Sequence, residues 1–218
     1  LIKAISSPKI RIIESTWNDE MQDRGYVYGQ QKMISQFNCT GDWAFYIEAD
    51  EVYHEKDLIT IKNSMQKYLN DPNIEALAFN FYHFYANANS YLDSPGWYRS
   101  EARVIKNSLR SYAPDGLFWL VLDGNKKGRY PKAKLLNIHC YHYGWVRSEY
   151  EMTLKSSKVQ KYWGKAPALI DYSQIDQCII KRFSETHPKI IEQWLPKEDG
   201  VYQADINYKL SSKQKKHR

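Results

Sequence analysis

The chain has 218 residues, of which 43% are hydrophobic and 26% charged, so it is expected to form one globular domain and is neither disordered nor fibrous. Its apolar runs all fall short of the roughly 20 residues that cross a bilayer. The three cysteines include no CxxC pair, which argues against a zinc knuckle or a disulfide framework and favours a reducing compartment.

Strands and helices are predicted to alternate along the first half of the chain. Strands are predicted at 9–14, 42–48, 74–85, 102–106, 117–122 and 135–142. Helices are predicted at 24–38, 57–69, 150–163, 173–185 and 190–195. This order predicts an α/β domain over residues 1–200, with a partly parallel, Rossmann-like core that passes into a mixed sheet and with a helical C-terminal part.

Residues 201–218 are expected to form an extension that ends in a basic tail. The last ten residues contain five cations and no acid, and they account for most of the net charge of +6. The cations are Lys209, Lys213, Lys215, Lys216 and Arg218. Because the remaining chain is close to neutral, nucleic acid is not expected as a partner. A solvated, disordered tail is the simpler interpretation, and peripheral contact with an anionic membrane surface is the functional alternative.

The most informative motif is an acidic cluster at the end of the predicted strand 42–48. Glu48, Asp50 and Glu51 follow an aromatic-rich apolar run. Charges are costly to bury, so these carboxylates should lie where the strand leaves the sheet. Glu48 and Asp50 are two residues apart, so on an extended chain they share one side and could hold a divalent cation, with Glu51 as a supporting neighbour. A solvated acidic turn before a helix is the alternative.

This segment resembles family-2-type glycosyltransferases with the GT-A fold. The resemblance lies in Gly41-Asp42-Trp43 followed by Ile47-Glu48-Ala49-Asp50-Glu51, with Glu48 at a position where the family has Asp. It extends over about residues 10–158 and is closest to bacterial lipopolysaccharide and capsule enzymes. It implies a GT-A-like three-layer sandwich, bound Mn²⁺ or Mg²⁺, and inverting transfer of a sugar from a nucleotide-diphosphate donor, of the UDP type for instance, to a glycan or lipid-linked acceptor. The family setting is cytoplasmic synthesis of cell-surface polysaccharide, at or near the inner face of the membrane.

A second motif follows in the run His142-Tyr143-Gly144-Trp145-Val146-Arg147, which resembles a late motif of the same enzymes. The resemblance implies that His142 meets the metal or the diphosphate. It also implies that Arg147 and either Lys155 or Lys158 bind the donor. A structural histidine and surface cations on an amphipathic helix are the alternatives.

The acceptor side is assigned to residues that precede and begin the strand at 102–106. The resemblance implies acceptor contacts from Trp97, Arg99 and Arg103. Asp115 is the candidate catalytic base, with Glu101 in reserve, although Asp115-Gly116 is also a common turn pair.

Two rival functions and one structural difficulty remain at this point. The rivals are a non-catalytic sugar-nucleotide-binding or scaffold protein of the same fold, and a glycoside hydrolase with two carboxylates. The family also has a nucleoside-binding strand–helix–strand at its start, and the eight residues before Lys9 are too few to form one. The chain is then expected to be a fragment, a shortened form or a rearranged fold. Self-association through the open sheet edge is expected in that case.

Overall fold

The computed structural model describes residues 2–5, 7–122, 124, 127–197 and 200–215. Its strands are β1 (Trp43–Phe45), β2 (Glu51–Tyr53), β3 (Ala76–Tyr85), β4 (Asn87–Leu92), β5 (Ser100–Lys106), β6 (Ser111–Tyr112), β7 (Leu120–Leu122), β8 (Gly128–Arg129), β9 (Ala133–Trp145) and β10 (Ile180–Arg182). Its α-helices are α1 (Tyr26–Phe37), α2 (Leu58–Tyr68), α3 (Glu149–Val159), α4 (Lys189–Glu192) and α5 (Ser212–Lys215). The fold is mixed α/β, as predicted.

The main sheet is curled and mixes parallel with antiparallel pairs. Seven strands form it, with β1, β5, β3, β4 and β10 on one path and with β9 and then β2 branching from β3. The β3–β9 pair is parallel, and the other pairs in this sheet are antiparallel. A small antiparallel sheet of β6, β7 and β8 lies beside it.

Helices cover both faces of the main sheet. Alternation along β1 sends Trp43 and Phe45 to one side, where they join a core with Ile61 of α2. Ala44 faces the opposite core, against which Met33 of α1 packs. The two helices therefore bury opposite faces of the same strands.

The pairing of β2 with β9 positions the acidic cluster. Glu51 lies opposite His142 in this antiparallel register, and the backbone N–H of Tyr143 donates to the carbonyl oxygen of Asp50 at 2.8 Å. The turn that precedes β2 is thereby fixed beside the late histidine motif. Residues about ninety positions apart in the chain become neighbours.

Several predicted strands differ in the structure. Residues 9–14 form no strand and are exposed, because a β-branched run becomes a strand only when another strand pairs with it. The predicted strand at 42–48 shortens to β1, which pairs antiparallel with β5 at the end of the sheet path instead of lying in a parallel centre. The run ends early because the chain turns at residues 49–50 to enter β2. His142 also lies within β9, which continues to Trp145.

The C-terminal part is less helical than predicted. In place of a helix at 173–185, Asp176 caps a single 3₁₀ turn, Gln177–Ile179, and β10 then pairs with β4. The helix predicted at 150–163 is present as α3, followed by one 3₁₀ turn.

The predicted extension begins as part of the folded body. Val201, Tyr202 and Ala204 pack against the core around Tyr172, and the Tyr202 backbone N–H donates to Ser90 Oγ at 2.7 Å. Lys216 and Arg218 of the predicted basic tail lie outside the described residues. Among the helices that the structure describes, none combines the length and the apolar character needed to cross a bilayer.

Candidate functional site

A cleft of about 420 Å³ opens beside the acidic turn. Its walls come from α1, the 46–50 segment, the 116–117 loop, the link between β9 and α3, α3 itself and the 3₁₀ turn that follows it. The lining residues are Tyr28, Tyr46, Glu48, Ala49, Asp50, Gly116, Leu117, Arg147, Lys155, Val159 and Trp163. Four of the residues singled out from the sequence therefore meet here, namely Glu48, Asp50, Arg147 and Lys155.

Asp50 and His142 lie together at this cleft. His142 Nε2 is 3.7 Å from Asp50 Oδ1, so the predicted proximity of these two side chains is confirmed. The side chains are 14% and 22% exposed, which leaves them accessible from the cleft. The β2–β9 register explains the contact, since Asp50 precedes Glu51, the residue opposite His142.

One of the two candidate lysines faces this pair. Lys155 Nζ lies 3.1 Å from Asp50 Oδ2, whereas Lys158 is exposed on α3 and does not line the cleft. Arg147 is exposed at the mouth of the cleft, just before the Ser148–Glu151 capping box that begins α3. Arg147 and Lys155 therefore face the same cleft, one from just before α3 and the other from its middle.

Charges around Asp50 favour its ionised form. Although burial disfavours the carboxylate, the positive charges of His142 and Lys155 hold the pKa of Asp50 below its ordinary value. Burial lowers the pKa of His142, against the opposing effect of Asp50. Burial therefore favours a neutral His142 beside the Asp50 carboxylate.

The geometry around Gly144 is compatible with a divalent cation. A Cβ at residue 144 would come within 2.6 Å of His142 Nε2 and 2.8 Å of Asp50 Oδ2, so only glycine fits against these two side chains. A carboxylate oxygen and an imidazole nitrogen are suitable donors for Mn²⁺. Across the described ranges no group of three or more His, Cys, Asp or Glu side chains is close enough to hold a metal. Among the described residues, a cation here would therefore have Asp50 and His142 as its two ligands.

Glu48 faces the cleft but contacts other side chains than those around Asp50. Its carboxylate accepts from the Tyr46 hydroxyl at 3.0 Å and lies 3.9 Å from Arg103 Nη2. The 46–50 segment is a turn, so the alternation expected of an extended chain does not apply. The structure pairs Asp50 with His142, and the predicted sharing of one cation by Glu48 and Asp50 stays a prediction.

Glu51 and Arg103 form a buried ion pair. Their side chains are 1% and 0% exposed, with 2.5 Å between Glu51 Oε1 and Arg103 Nη2. Arg103 also donates to the carbonyl of Leu117 at 3.2 Å. The predicted acceptor contact of Arg103 is wrong for this structure, because β5 turns this side chain into the core. Glu51 supports the acidic turn instead, since its other oxygen accepts from the Glu48 backbone N–H at 3.1 Å.

Asp115 lies in the loop whose next two residues line the cleft. Its Oδ1 accepts from the Leu117 backbone N–H at 2.7 Å, which is the turn role left open by the sequence. The loop packs closely on α1, where a Cβ at Gly29 would lie 2.5 Å from the Ala113 carbonyl oxygen. Lys32 holds the same loop, because its Nζ donates to the Gly116 carbonyl at 2.7 Å. A role for Asp115 as base stays a prediction.

The other acceptor and base candidates lie outside the cleft lining. Glu101 is half-buried in β5, where burial raises its pKa. Arg99 forms an exposed pair with Asp93 at 2.7 Å. Trp97 lines a second cavity of about 260 Å³ with Trp145 and packs against His83. These three side chains are not brought together with Asp50.

Sequence reasoning missed several side chains that build the site. The aromatic wall of the cleft is formed by Tyr28, Tyr46 and Trp163. Lys32, 3% exposed, lies under Tyr46 with its Nζ 3.8 Å from the ring centroid, and burial lowers its pKa to about 7. His83, 2% exposed, contacts His142. The available signal was a polar residue inside an apolar run, as in the strand AFNFYHFY around His83.

Comparison with known proteins adds no family to this description. No protein-family model matches the chain, and no curated protein matches it either.

Proposed function

We propose that the protein is a metal-dependent glycosyltransferase with a GT-A-like arrangement. It transfers a sugar from a nucleotide-diphosphate donor to a glycan or lipid-linked acceptor, with inversion. The observation that carries this proposal is the convergence of Asp50, Arg147 and Lys155 on one cleft, with His142 in contact with Asp50 behind the cleft lining. A carboxylate–imidazole pair beside two cations is suited to a diphosphate and its counter-ion.

Different residues of the cleft suit the diphosphate and the sugar or base of such a donor. Bound Mn²⁺ or Mg²⁺ would neutralise charge on the diphosphate as the glycosidic bond breaks. Lys155 adds a point charge beside Asp50, and Arg147 offers a planar fork to a second phosphate. The rings of Tyr28 and Trp163 provide apolar faces of the kind on which sugars and bases pack.

The acceptor would enter from the side of the 113–117 loop. Asp115 takes the acceptor proton in this proposal, because its loop contributes Gly116 and Leu117 to the cleft wall. Glu101 stays the reserve. The setting that we propose is the cytoplasmic face of a membrane, where the acceptors of cell-surface polysaccharide synthesis are built.

A donor-release assay tests this function with a matched pair of variants. The full chain is incubated with a panel of nucleotide-diphosphate sugars and Mn²⁺, with released nucleotide diphosphate as the readout. Lys155→Met should abolish release, and Lys158→Met, one turn away on the same helix, should leave it within twofold of the unsubstituted chain.

Each rival function gives a different result in the same experiment. Donor binding without release would favour the sugar-nucleotide-binding scaffold. Metal-independent glycan hydrolysis would favour a glycoside hydrolase. Equal loss in both lysine variants would contradict the assignment of Lys155 to the donor.

A further inference from the structure

We infer that His83 is a positioning residue that fixes the tautomer of His142. In this arrangement His142 carries its proton on Nδ1 and directs the lone pair of Nε2 toward Asp50 and the cleft. Only the use of that lone pair to bind a metal rests on the proposed function. The tautomer itself is a property of the folded chain.

Strand register brings the two histidines side by side. His83 on β3 pairs with His142 on β9 in the parallel ladder. Their Nδ1 atoms are 3.0 Å apart, and the rings are nearly perpendicular at 86°. At this distance one nitrogen must donate a proton and the other must accept it.

The partner of the other His83 nitrogen decides the direction. His83 Nε2 is 2.9 Å from the carbonyl oxygen of Tyr98. A carbonyl only accepts, so Nε2 of His83 carries a hydrogen. A neutral His83 then has its lone pair on Nδ1, which accepts from Nδ1–H of His142. It follows that Nε2 of a neutral His142 is unprotonated.

Packing holds His83 in this orientation. The ring is 2% exposed and stacks on Phe81 with 5.1 Å between centroids and 14° between planes. Tyr98 contacts it edge-on at 4.6 Å. Burial without solvent also disfavours a charged imidazolium at this position. His83 therefore acts as a fixed acceptor instead of a mobile ring.

The result is a preformed electron-pair donor at the cleft. The lone pair on His142 Nε2 lies 3.7 Å from Asp50 Oδ1, and two electron-rich atoms at this distance are stabilised by a cation between them. Gly144 packs against both side chains, since a Cβ there would lie 2.6 Å from His142 Nε2 and 2.8 Å from Asp50 Oδ2. Outer-shell hydrogen bonds of this kind commonly orient the histidines that bind metals.

The tautomer can be measured directly on the full chain. Long-range ¹H–¹⁵N correlation spectra of the ¹⁵N-labelled protein separate protonated from unprotonated ring nitrogens. The signals that disappear in His142→Asn identify His142 among the six histidines. We expect the unprotonated nitrogen of His142 to be Nε2. A protonated Nε2 that donates toward Asp50 would overturn the inference, whether or not the protein transfers sugar.

Substitution of His83 tests its role in setting the tautomer. His83→Phe keeps the ring but removes the acceptor, so His142 should become a mixture of tautomers. Mn²⁺ binding, followed by electron paramagnetic resonance of the free ion, should weaken by on the order of 10–100-fold. His83→Gln, whose amide both accepts and donates, should restore the tautomer and most of the binding.

The matched control is His139→Phe on β9, the strand that carries His142. His139 stacks on Tyr82 at 4.2 Å instead of facing His142, so its removal should change neither readout. An unchanged His142 tautomer in His83→Phe would refute the positioning role. If that variant does not fold, the unsubstituted chain and His83→Gln still decide the question.

Discussion

Asp50 and Glu51 are adjacent in the chain and have opposite surroundings. The Asp50 side chain is 22% exposed and meets His142 and Lys155 at the cleft. The Glu51 side chain is 1% exposed and is paired with Arg103 inside the core. Asp50 ends the turn and projects to the cleft, whereas Glu51 begins β2 and is buried, and this change of backbone conformation separates the two carboxylates.

The comparison shows how one acidic motif serves two purposes. The Asp50 carboxylate lies beside Lys155, whose side chain is 35% exposed. A carboxylate that must hold the turn in place is sealed with an arginine from another strand. We therefore expect Glu51 to matter for stability and Asp50 to matter for binding.

The largest expected effect is on stability, from Glu51→Gln. This change leaves the fully buried Arg103 charge without its partner, and it should cost about 3–5 kcal/mol of unfolding free energy. Urea unfolding measures it. The double variant Glu51→Leu with Arg103→Met should recover most of this loss, because an apolar pair needs no compensating charge. A loss below about 1 kcal/mol in the single variant would contradict the core role given to this pair.

Gly144→Ala should weaken the binding of Mn²⁺ and pyrophosphate beside Asp50. The added Cβ would lie 2.6 Å from His142 Nε2, and a displacement of about 1 Å at such a site can cost on the order of 10²-fold in function. Titration of Mn²⁺ with pyrophosphate measures the affinity. Gly41→Ala is the control, since its Cβ would have its nearest neighbour at 3.7 Å. Equal affinities in the two variants would count against a ligand site at Gly144.

Lys32 provides a further buried charge, whose effect depends on pH. Its pKa is about 7 in the folded chain and 10.5 ordinarily, so between these values the unfolded chain binds more protons. Stability should therefore rise with pH above about 7, with a contribution from Lys32 of at most about 1.4 kcal/mol per pH unit. Lys32→Met should remove this slope between pH 7 and 9. An unchanged slope would show that Lys32 is not the titrating group.

The smallest expected effect is that of Asp50→Asn on stability. Asp50 and Lys155 are both accessible to solvent, so the loss of their pair should change the unfolding free energy by less than about 1 kcal/mol. Urea unfolding beside Glu51→Gln gives a direct contrast. If the two variants were equally destabilised, the separation of roles between the neighbouring carboxylates would be wrong.

Local sequence patterns predicted the helices and strands whose formation depends mainly on residues close together in the chain. The helices α1 and α2 follow from apolar spacing, α3 begins at a capping box, and the long strand β3 follows from its aromatic run. The proximity of Asp50 and His142 was expected from the family resemblance, which assigned both residues to one metal, and it is produced by the pairing of β2 with β9.

Features that depend on pairing between distant segments were not predictable. Whether β1 pairs parallel or antiparallel is decided by β5, about sixty residues away in the chain. Burial of Arg103 depends on the face of β5 from which it projects, and a strand beginning outside the core gives no local sign of that face. His83 became part of the site only through its register with β9.

Titration calorimetry with pyrophosphate, in the presence and absence of Mn²⁺, tests most directly whether the Asp50 cleft is a metal–diphosphate site. The unsubstituted chain and Lys158→Met should bind pyrophosphate when Mn²⁺ is present and far more weakly when it is absent. Asp50→Asn should lose the Mn²⁺-dependent binding while staying folded. Pyrophosphate binding that is the same in Asp50→Asn, or the same without Mn²⁺, would contradict the account.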